Sequence, residues 1–236
     1  MLSKRLDAVA KMVTKGNIVA DIGTDHGYVP IYLVKSKISP FAYAMDINDG
    51  PVKSALRNVN SEGLSKQIQV IQSDGMEKLR PDMADTVIIA GMGGELIVDI
   101  LKKSTVNDTV KEFVLSPHKR ADLVRKFINE NGWHIIEERM LVDAGKYYTI
   151  MKAVKGEETE PYCEAEYRYG RYLLNEKNPV LKEYLEKEYK KFKNIKDRME
   201  KNNSRGTEQV EQVLEYNREG RESYDSCKCR RQGLQV

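Results

Sequence analysis

Short apolar segments alternate with segments of helix length between residue 18 and about residue 154, and this alternation restricts the fold more than any other feature. The apolar segments are NIVADIG, FAYAMDIN, IQVIQSD, DTVIIAGMGG and EFVLSP, and each is followed by a stretch long enough for a helix. Strands that alternate with helices form a parallel sheet with helices on both faces. The continuous β-branched character of these segments is typical of strands buried on both sides. The sequence therefore predicts a doubly wound α/β domain.

The end of this region has a different pattern. The segment WHIIEERMLVDAGKYYTIMKAV contains two strand patterns around a turn at Asp143-Ala144-Gly145-Lys146, with no helix between them. An ordinary dinucleotide-binding domain would continue with another crossover helix. We therefore predict a sheet closed by a terminal antiparallel hairpin, in a domain that spans residues 1–156.

The chain changes composition after residue 156, where Glu, Lys, Arg and Tyr dominate and β-branched runs almost disappear. One apolar stripe at three- and four-residue steps indicates a long charged helix: Leu181, Leu185, Tyr189, Phe192, Ile195 and Met199. The turn cluster NNSRGT follows at residues 202–207, and a second helical stripe begins at Val210. Residues 157–236 are therefore predicted to form a small all-α domain, an antiparallel coiled coil preceded by a shorter helix around Glu164 to Leu174.

The composition excludes several classes of protein. The 39 basic and 36 acidic residues nearly balance, so the charge alone makes no case for nucleic acid or membrane. No apolar run approaches the roughly 18 to 20 residues of a membrane span. The cysteines Cys163, Cys227 and Cys229 are too few for a disulfide framework; we interpret them as incidental, in a cytoplasmic protein with no metal site and no obligate protein partner.

The loop VADIGTDHGYVP, residues 19–30, follows the first predicted strand. A dinucleotide-binding loop has the pattern G-x-G-x-x-G, whereas this loop has only Gly23 and Gly27, and Asp25 would repel a phosphate. S-adenosylmethionine lacks phosphate and carries an ammonium and a sulfonium, which carboxylates attract. We interpret Asp21 or Asp25 as the group that receives the amino group of this cofactor; alternatively, Asp21 ties the loop or caps a helix.

Acidic residues also end the next two predicted strands. Asp46 lies where an acid commonly binds ribose hydroxyls in this topology, and Asp74-Gly75 offers a carboxylate and space for an adenine ring. Aspartate is also a common turn residue, so each position alone is weak evidence. After the fourth strand, Gly91, Met92, Gly93 and Gly94 present bare backbone to a flat methyl acceptor, or simply form a tight strand-to-helix turn.

The segments LSKRLDAVA, VADIGTDHGYVP, AYAMDIN, SDGMEKL and IIAGMGGELI together resemble the bacterial tRNA adenine(22)-N1 methyltransferase family. The resemblance implies a Rossmann-like class I methyltransferase domain, a small coiled-coil domain, S-adenosylmethionine as cofactor and a D-arm adenine of tRNA as substrate. It places the methionine end of the cofactor at Asp21, Gly23, Thr24, Asp25, His26 and Gly27. The ribose would lie at Asp46 and Ile47, and the adenine at Asp74 and Gly75. Ala90 and Gly91 would make further cofactor contacts, and the acceptor would lie at Gly91 to Gly94. Where the family has a glutamine-proline pair after the fifth strand, this chain has Ser116-Pro117.

The chemistry of adenine N1 needs no general base, because N1 carries a free lone pair at neutral pH. Positioning would therefore dominate catalysis, and Asp25 would either bind the cofactor or steady developing charge. N1 lies on the Watson–Crick edge, so the base must be extruded, and Tyr28, Tyr147 and Tyr148 are candidates to stack on it.

A local basic surface is expected for an RNA-binding protein. Candidates are Arg5, Lys190, Lys191, Lys193 and Lys196, although the sequence alone favours the solvated face of a coiled coil for the four lysines. Three alternatives stay open: a nicotinamide-dependent oxidoreductase, a non-catalytic adaptor, and a methyltransferase with another RNA base, a protein or a small molecule as acceptor.

Overall fold

The computed structural model describes residues 2–202 and 206–226, which divide into two compact units, one within residues 1–158 and the other within residues 159–236. The helices of the first unit are α1 (Lys4–Ala10), α2 (Tyr28–Lys35), α3 (Asp49–Ser61), α4 (Gly94–Lys103) and α5 (Ala121–Glu130). Its strands are β1 (Val19–Ile22), β2 (Ala42–Asp46), β3 (Ile68–Gln72), β4 (Thr86–Ala90), β5 (Glu112–Ser116), β6 (Trp133–Asp143) and β7 (Lys146–Lys155).

The seven strands form one sheet in the order β3-β2-β1-β4-β5-β7-β6. The pairs β1 with β2, β2 with β3, β1 with β4 and β4 with β5 are parallel, whereas β7 pairs antiparallel with both β5 and β6. Every residue of β1 and of β5 is buried. The predicted parallel sheet and its antiparallel closing hairpin are both confirmed.

Local sequence explains the ends of several elements. The Ser3 hydroxyl accepts a hydrogen bond from the Leu6 amide at 3.3 Å and so caps α1. The hairpin turns at Ala144 and Gly145, which both have positive φ, as a two-residue turn between twisted strands requires. The apolar face of α1 joins the core through Val9 and Ala10.

The crossover from β3 to β4 differs from the prediction, because residues 73–85 contain turns and no helix. The positive φ of Gly75 and of Asp82 interrupts any continuous helix, and Pro81 lies between them. Met76 and Leu79 are buried and attach this segment to the domain. Met76 and Leu79 are three residues apart, as on one face of a helix, but here they belong to a turn whose side chains pack into the domain.

The second unit contains α6 (Glu164–Tyr169), α7 (Arg171–Asn175), α8 (Pro179–Lys201) and α9 (Glu208–Ser226). The single short helix predicted around Glu164 to Leu174 is two helices, because Gly170 has a φ of 95° between them. The pair α8 and α9 runs antiparallel, since Asn217 hydrogen-bonds the Leu185 carbonyl at 3.0 Å while Lys196 pairs with Glu211 at 2.9 Å.

The apolar stripe predicted for α8 is only partly buried. Leu181 and Leu185 are in the core, but the next buried residue of α8 is Glu188, which accepts hydrogen bonds from Tyr169 at 2.6 Å and from Asn217 at 3.1 Å. The centre of this helix pair is therefore a polar network, and the further apolar residues of the stripe are half-buried.

Cys163 is disulfide-bonded, which contradicts its interpretation as incidental, and Cys227 and Cys229 lie outside the described residues. Within residues 2–202 and 206–226, no helix combines the length and the apolar character that crossing a bilayer requires.

Candidate active site

The candidate site lies at the carboxyl ends of the parallel strands, where β1 is flanked by β2 on one side and β4 on the other. The connection after β1 leads to β2 on one side of it, and the connection after β3 leads to β4 on the other side. A point where the strand order reverses in this way opens a ligand crevice in α/β sheets. The loops after β1, β2, β3 and β4 carry the predicted site residues, so the topology brings the four loops to one edge of the sheet.

The loop after β1 is not built to bind phosphate. The amides of Gly23 and Thr24 both donate to the Met45 carbonyl, at 2.7 and 2.9 Å, and are therefore not directed at a ligand. Gly23 has a φ of 78°, and a Cβ atom on it would lie 2.1 Å from Cε of Met92. The Met92 side chain thus reaches from the β4 loop to the bare backbone of the β1 loop.

Asp21 is the most perturbed carboxylate of this edge. It is buried within β1, and burial raises its pKa to about 6, while a hydrogen bond from Thr24 and the charge of Arg5 oppose the rise and the charge of Asp46 adds to it. A buried acid whose partners do not fully offset its desolvation is a common feature of binding and catalytic sites. A cationic ligand beside Asp21 would stabilise its ionised form.

Asp25 and His26 form the outer part of the same loop. Nε2 of His26 lies 3.2 Å from Asp25, its Nδ1 lies 2.8 Å from the Ser54 hydroxyl, and its carbonyl accepts from Asn58 at 2.9 Å. Helix α3 therefore holds the His26 ring. The ring of Tyr28 stacks on it, with centroids 5.0 Å apart, and is exposed.

The loop after β2 presents Asp46 and Ile47. One Asp46 oxygen accepts the Asn48 amide at 2.7 Å, so this acid also ties its own turn. The Ile47 carbonyl accepts from the Gln72 side chain at 2.9 Å, and the Ile47 side chain is 53% exposed. An apolar side chain so exposed beside a crevice suits contact with a flat ring.

Asp74 and Gly75, after β3, line a small pocket of about 80 Å³ together with Leu96 and Ile100 of α4. Gly75 has a φ of 52°, and a Cβ atom on it would lie 3.1 Å from Ile100. Asp74 is exposed. The glycine is therefore explained by close packing against α4, and the pocket is open beside it.

Three other chain segments meet around Gly91, which has a φ of 94°. Nη1 of Arg5 lies 3.2 Å, and Nε2 of His118 lies 3.6 Å, from the position that a Cβ atom on Gly91 would take. The Tyr148 ring contacts both groups, at 5.2 Å from Cζ of Arg5 and 5.7 Å from the His118 ring centroid. The His118 amide donates to the Met92 carbonyl at 2.8 Å.

The remaining glycines of this loop have different roles. Gly94 is buried, its amide donates to the Lys119 carbonyl at 2.9 Å, and a Cβ atom on it would lie 2.2 Å from the Arg120 carbonyl oxygen. The structure therefore explains Gly94 by packing of α4 against the loop after β5. Gly93 is the N-cap of α4 and is half-buried, as is Ala90.

Ser116 and Pro117 connect β5 to this site. The Ser116 carbonyl accepts the Gly91 amide at 3.1 Å, and its hydroxyl donates to the Thr149 carbonyl of β7 at 3.1 Å. This edge therefore holds the β4 loop against the hairpin.

The predicted basic residues of α8 are not equivalent. Lys190, Lys191 and Lys193 are exposed, whereas Lys196 is half-buried and pairs with Glu211 at 2.9 Å. Arg5 lies in α1 of the other unit, at Gly91. In the described part of the chain, no group of three or more His, Cys, Asp or Glu residues is arranged to hold a metal ion.

His118 is the residue of this site that the sequence reasoning missed. It follows Ser116-Pro117 at the carboxyl end of β5. The rule that selected Asp46 and Asp74, a polar side chain just after a parallel strand, would have selected it as well.

The comparisons with known proteins agree with this geometry. The profile of the TrmK family, described as tRNA (adenine(22)-N(1))-methyltransferase, matches residues 19–219. The tRNA (adenine(22)-N(1))-methyltransferase of Bacillus subtilis (strain 168) is 39% identical over 184 residues, which cover 76% of this chain and 77% of the relative.

Two solved structures extend the likeness to the whole fold. Streptococcus pneumoniae Sp1610 in complex with S-adenosyl-L-methionine is 32% identical, with a TM-score of 0.85 over 93% of this chain and 99% of that one. M. capricolum TrmK in complex with S-adenosyl-homocysteine is 30% identical, with a TM-score of 0.84 over 97% and 100%. The α/β unit thus has the Rossmann-like methyltransferase fold, and this chain belongs to the TrmK family of tRNA (adenine(22)-N(1))-methyltransferases.

Proposed function

We propose that this protein transfers a methyl group from S-adenosylmethionine to N1 of adenine 22 of tRNA. The observation that carries the proposal is one edge of the sheet, where the buried Asp21 of β1 lies beside the Gly23 loop, Asp46 ends β2 and Asp74 follows β3. The chain belongs to the tRNA (adenine(22)-N(1))-methyltransferase family. The protein would act in the cytoplasm, where tRNA is modified.

The residues of the crevice fit the proposed cofactor, which supplies a methyl group activated by a positively charged sulfur. Asp21 offers a buried carboxylate that a cation would hold ionised, and Asp25 is a second carboxylate of the same loop. The Gly23 and Thr24 amides are already bonded to Met45, which disfavours a pyrophosphate and so a nicotinamide cofactor. Asp46 with Ile47 would hold the ribose, and Asp74 with Gly75 the adenine.

The protein's catalytic task is orientation. N1 carries its own lone pair, so no residue has to remove a proton, and a base held in line can react faster by several orders of magnitude. Gly91 presents bare backbone to the side chains of Arg5 and His118 at this edge, and the Met92 side chain reaches from the β4 loop to the β1 loop. Because N1 is on the Watson–Crick edge, adenine 22 would have to leave its stack to reach this site.

A mapping experiment tests the function. Unmodified tRNA is incubated with the protein and labelled S-adenosylmethionine, and the methylated nucleotide is located by primer extension, which stops at N1-methyladenine. We expect one stop, at adenine 22, and none in a matched tRNA with guanine there. Label at another nucleotide would replace the proposed acceptor, and absence of label on any tRNA would contradict the function.

Exposed lysines of α8 are proposed to contact the tRNA backbone. Lys190 and Lys193 are one helical turn apart and exposed, so both can face a phosphate strand. We expect the double variant Lys190→Glu/Lys193→Glu to weaken tRNA binding while S-adenosylmethionine binding is unchanged. The slope of log affinity against log salt should become less negative by roughly 1 for each lysine–phosphate ion pair that the substitutions remove.

The control has the same charge change elsewhere. Lys15→Glu/Lys66→Glu also replaces two exposed lysines, but on the α/β unit. Equal losses of tRNA affinity in the two double variants would assign the effect to net charge and contradict a specific role for the α8 lysines.

A further inference from the structure

The donor and acceptor groups that converge on Gly91 match the chemistry of one purine edge. For N1 to receive a methyl group, the Watson–Crick edge must be free, so a protein can recognise the base by its Hoogsteen edge. On that edge adenine has the N6 amino group, which donates, and N7, which accepts, whereas guanine has two acceptors, O6 and N7. A site selective for adenine therefore needs one acceptor beside one donor.

Arg5 supplies a donor that lacks a partner within the described residues. Its Nη1 is buried and makes no hydrogen bond, although its backbone amide is bonded to Asp143 at 3.1 Å and its guanidinium lies over Tyr148. Buried donors are normally satisfied, so an unpaired one beside Gly91, at the edge of the candidate site, is explained if its partner comes with the substrate.

His118 supplies the acceptor. Its Nε2 lies 3.6 Å from the same point at Gly91 that is 3.2 Å from Nη1 of Arg5. Partial burial and the positive charges of Arg5 and Lys146 lower the pKa of His118, which keeps the ring neutral near pH 7. A neutral ring with its proton on Nδ1 has an acceptor at Nε2. Tyr148 contacts both side chains and acts as a positioning residue for them.

We propose that Arg5 and His118 read the Hoogsteen edge of the acceptor adenine, with the Arg5 guanidinium donating to N7 and Nε2 of His118 accepting from the N6 amino group. This inference rests on the proposed function, and it identifies the residues that select adenine and direct N1 toward the methyl group. Gly91 is glycine because any side chain would occupy the space between the two groups.

The test pairs protein variants with single-atom changes in the tRNA. Position 22 carries adenine, 7-deazaadenine, which lacks N7, or purine, which lacks the amino group. Both changes also alter the reactivity of N1, so the tRNAs are compared by their dissociation constants. Wild-type protein should lose about 10- to 100-fold in affinity for the 7-deazaadenine tRNA, because that hydrogen bond involves a charged donor. It should lose about 3- to 10-fold in affinity for the purine tRNA, where the hydrogen bond is neutral.

The loss caused by removing one base atom should disappear only in the variant that lacks the side chain bonded to that atom. Arg5→Ala should bind the adenine and 7-deazaadenine tRNAs equally but keep its loss of affinity for the purine tRNA, and His118→Ala should show the reverse. Lys4→Ala removes a neighbouring exposed cation of α1 and should keep both losses. The dissociation constants are measured without cofactor and so do not depend on the reactivity of N1.

The outcomes separate this inference from the function on which it rests. Wild-type methylation of adenine 22, with atom-specific losses of affinity that persist in Arg5→Ala and His118→Ala, would overturn the Hoogsteen recognition alone. Absence of methylation at adenine 22 by the wild-type protein would overturn the proposed function and this inference together. Thermal unfolding of each variant shows whether it is folded, and the comparison among tRNAs is made within a single variant.

Discussion

A buried carboxylate lies at each end of the central strands, and its pKa is lowered at one end and raised at the other. At the amino end of β5, Glu112 accepts from the Thr14 amide and hydroxyl at 2.9 and 2.6 Å, from the Thr86 hydroxyl at 2.7 Å, and pairs with Lys152 at 3.0 Å. These hydrogen bonds outweigh desolvation, the largest single effect, and the pKa of Glu112 lies below its usual value.

At the carboxyl end of β1, burial dominates. Asp21 has the Thr24 hydrogen bond and the charge of Arg5, and these do not offset desolvation, so its pKa is raised to about 6. A fully partnered carboxylate stabilises the fold by itself, whereas an under-partnered one stores unfavourable desolvation energy that a cationic ligand can relieve. One sheet therefore carries a fully partnered acid at one end and an under-partnered acid, our candidate cofactor ligand, at the other.

The largest effect is expected at the structural end. Glu112→Gln leaves Lys152 as a buried charge without its counter-ion, and breaking a buried pair in this way costs about 3–5 kcal/mol. Denaturant unfolding at pH 7.5 measures the loss, and calorimetry should find S-adenosylmethionine affinity unchanged in the fraction that is folded. The double variant Glu112→Gln/Lys152→Met should regain part of the stability; a loss below 1 kcal/mol in the single variant would contradict the structural role.

Asp21→Asn should have the opposite effect on stability. The folded-state pKa of about 6 is higher than the ordinary 3.8, so the folded state binds more protons between these values and stability falls as pH rises through that window. Above pH 7 the ionised Asp21 destabilises the fold by up to about 3 kcal/mol, which asparagine removes. Unfolding at pH 8 should therefore show a more stable variant, with little difference at pH 3.

The same variant should lose cofactor affinity. Replacing a charge-assisted hydrogen bond by a neutral one weakens S-adenosylmethionine binding by about 10- to 100-fold. Lower stability of Asp21→Asn at pH 8, or cofactor affinity equal to that of the wild type, would contradict a cofactor-binding role for Asp21.

The smallest effect expected is on the pH dependence of binding. Wild-type affinity for S-adenosylmethionine should rise between pH 5 and about 6, by up to about tenfold per pH unit, as Asp21 loses its proton, and level off above. Asp21→Asn should lack this rise. Glu112 contributes stability that is present above its ordinary pKa of 4.5 and is lost as pH falls through its lowered folded-state pKa, so it should not change the binding profile in this range.

The sequence was most informative where one local rule decides the structure. Buried strands are continuous apolar runs, and a hairpin needs a turn such as Ala144-Gly145, so the sheet and its closing hairpin could be predicted. The site loops could be located because they follow those strands. The rule did not reveal that Gly94 serves packing against the Arg120 carbonyl, since that contact joins two loops distant in sequence.

Local rules could not select residues that come into contact only after folding. Glu112 and Lys152 were not selected, because their hydrogen-bonding partners come from β4, β7 and the segment after α1. Periodicity likewise could not show that Glu188 would be buried at the centre of α8.

Periodicity, turn residues and the acids at strand ends determined the fold class, the edge of the candidate site and the family resemblance, because each depends on residues close together in the chain. The tertiary structure decided which groups are partnered: it surrounded Glu112 with donors, left Asp21 short of them, and brought Arg5 to His118 across 113 positions of sequence. Hydrogen bonding and desolvation depend on distances in space, and those exist only once the sheet has assembled.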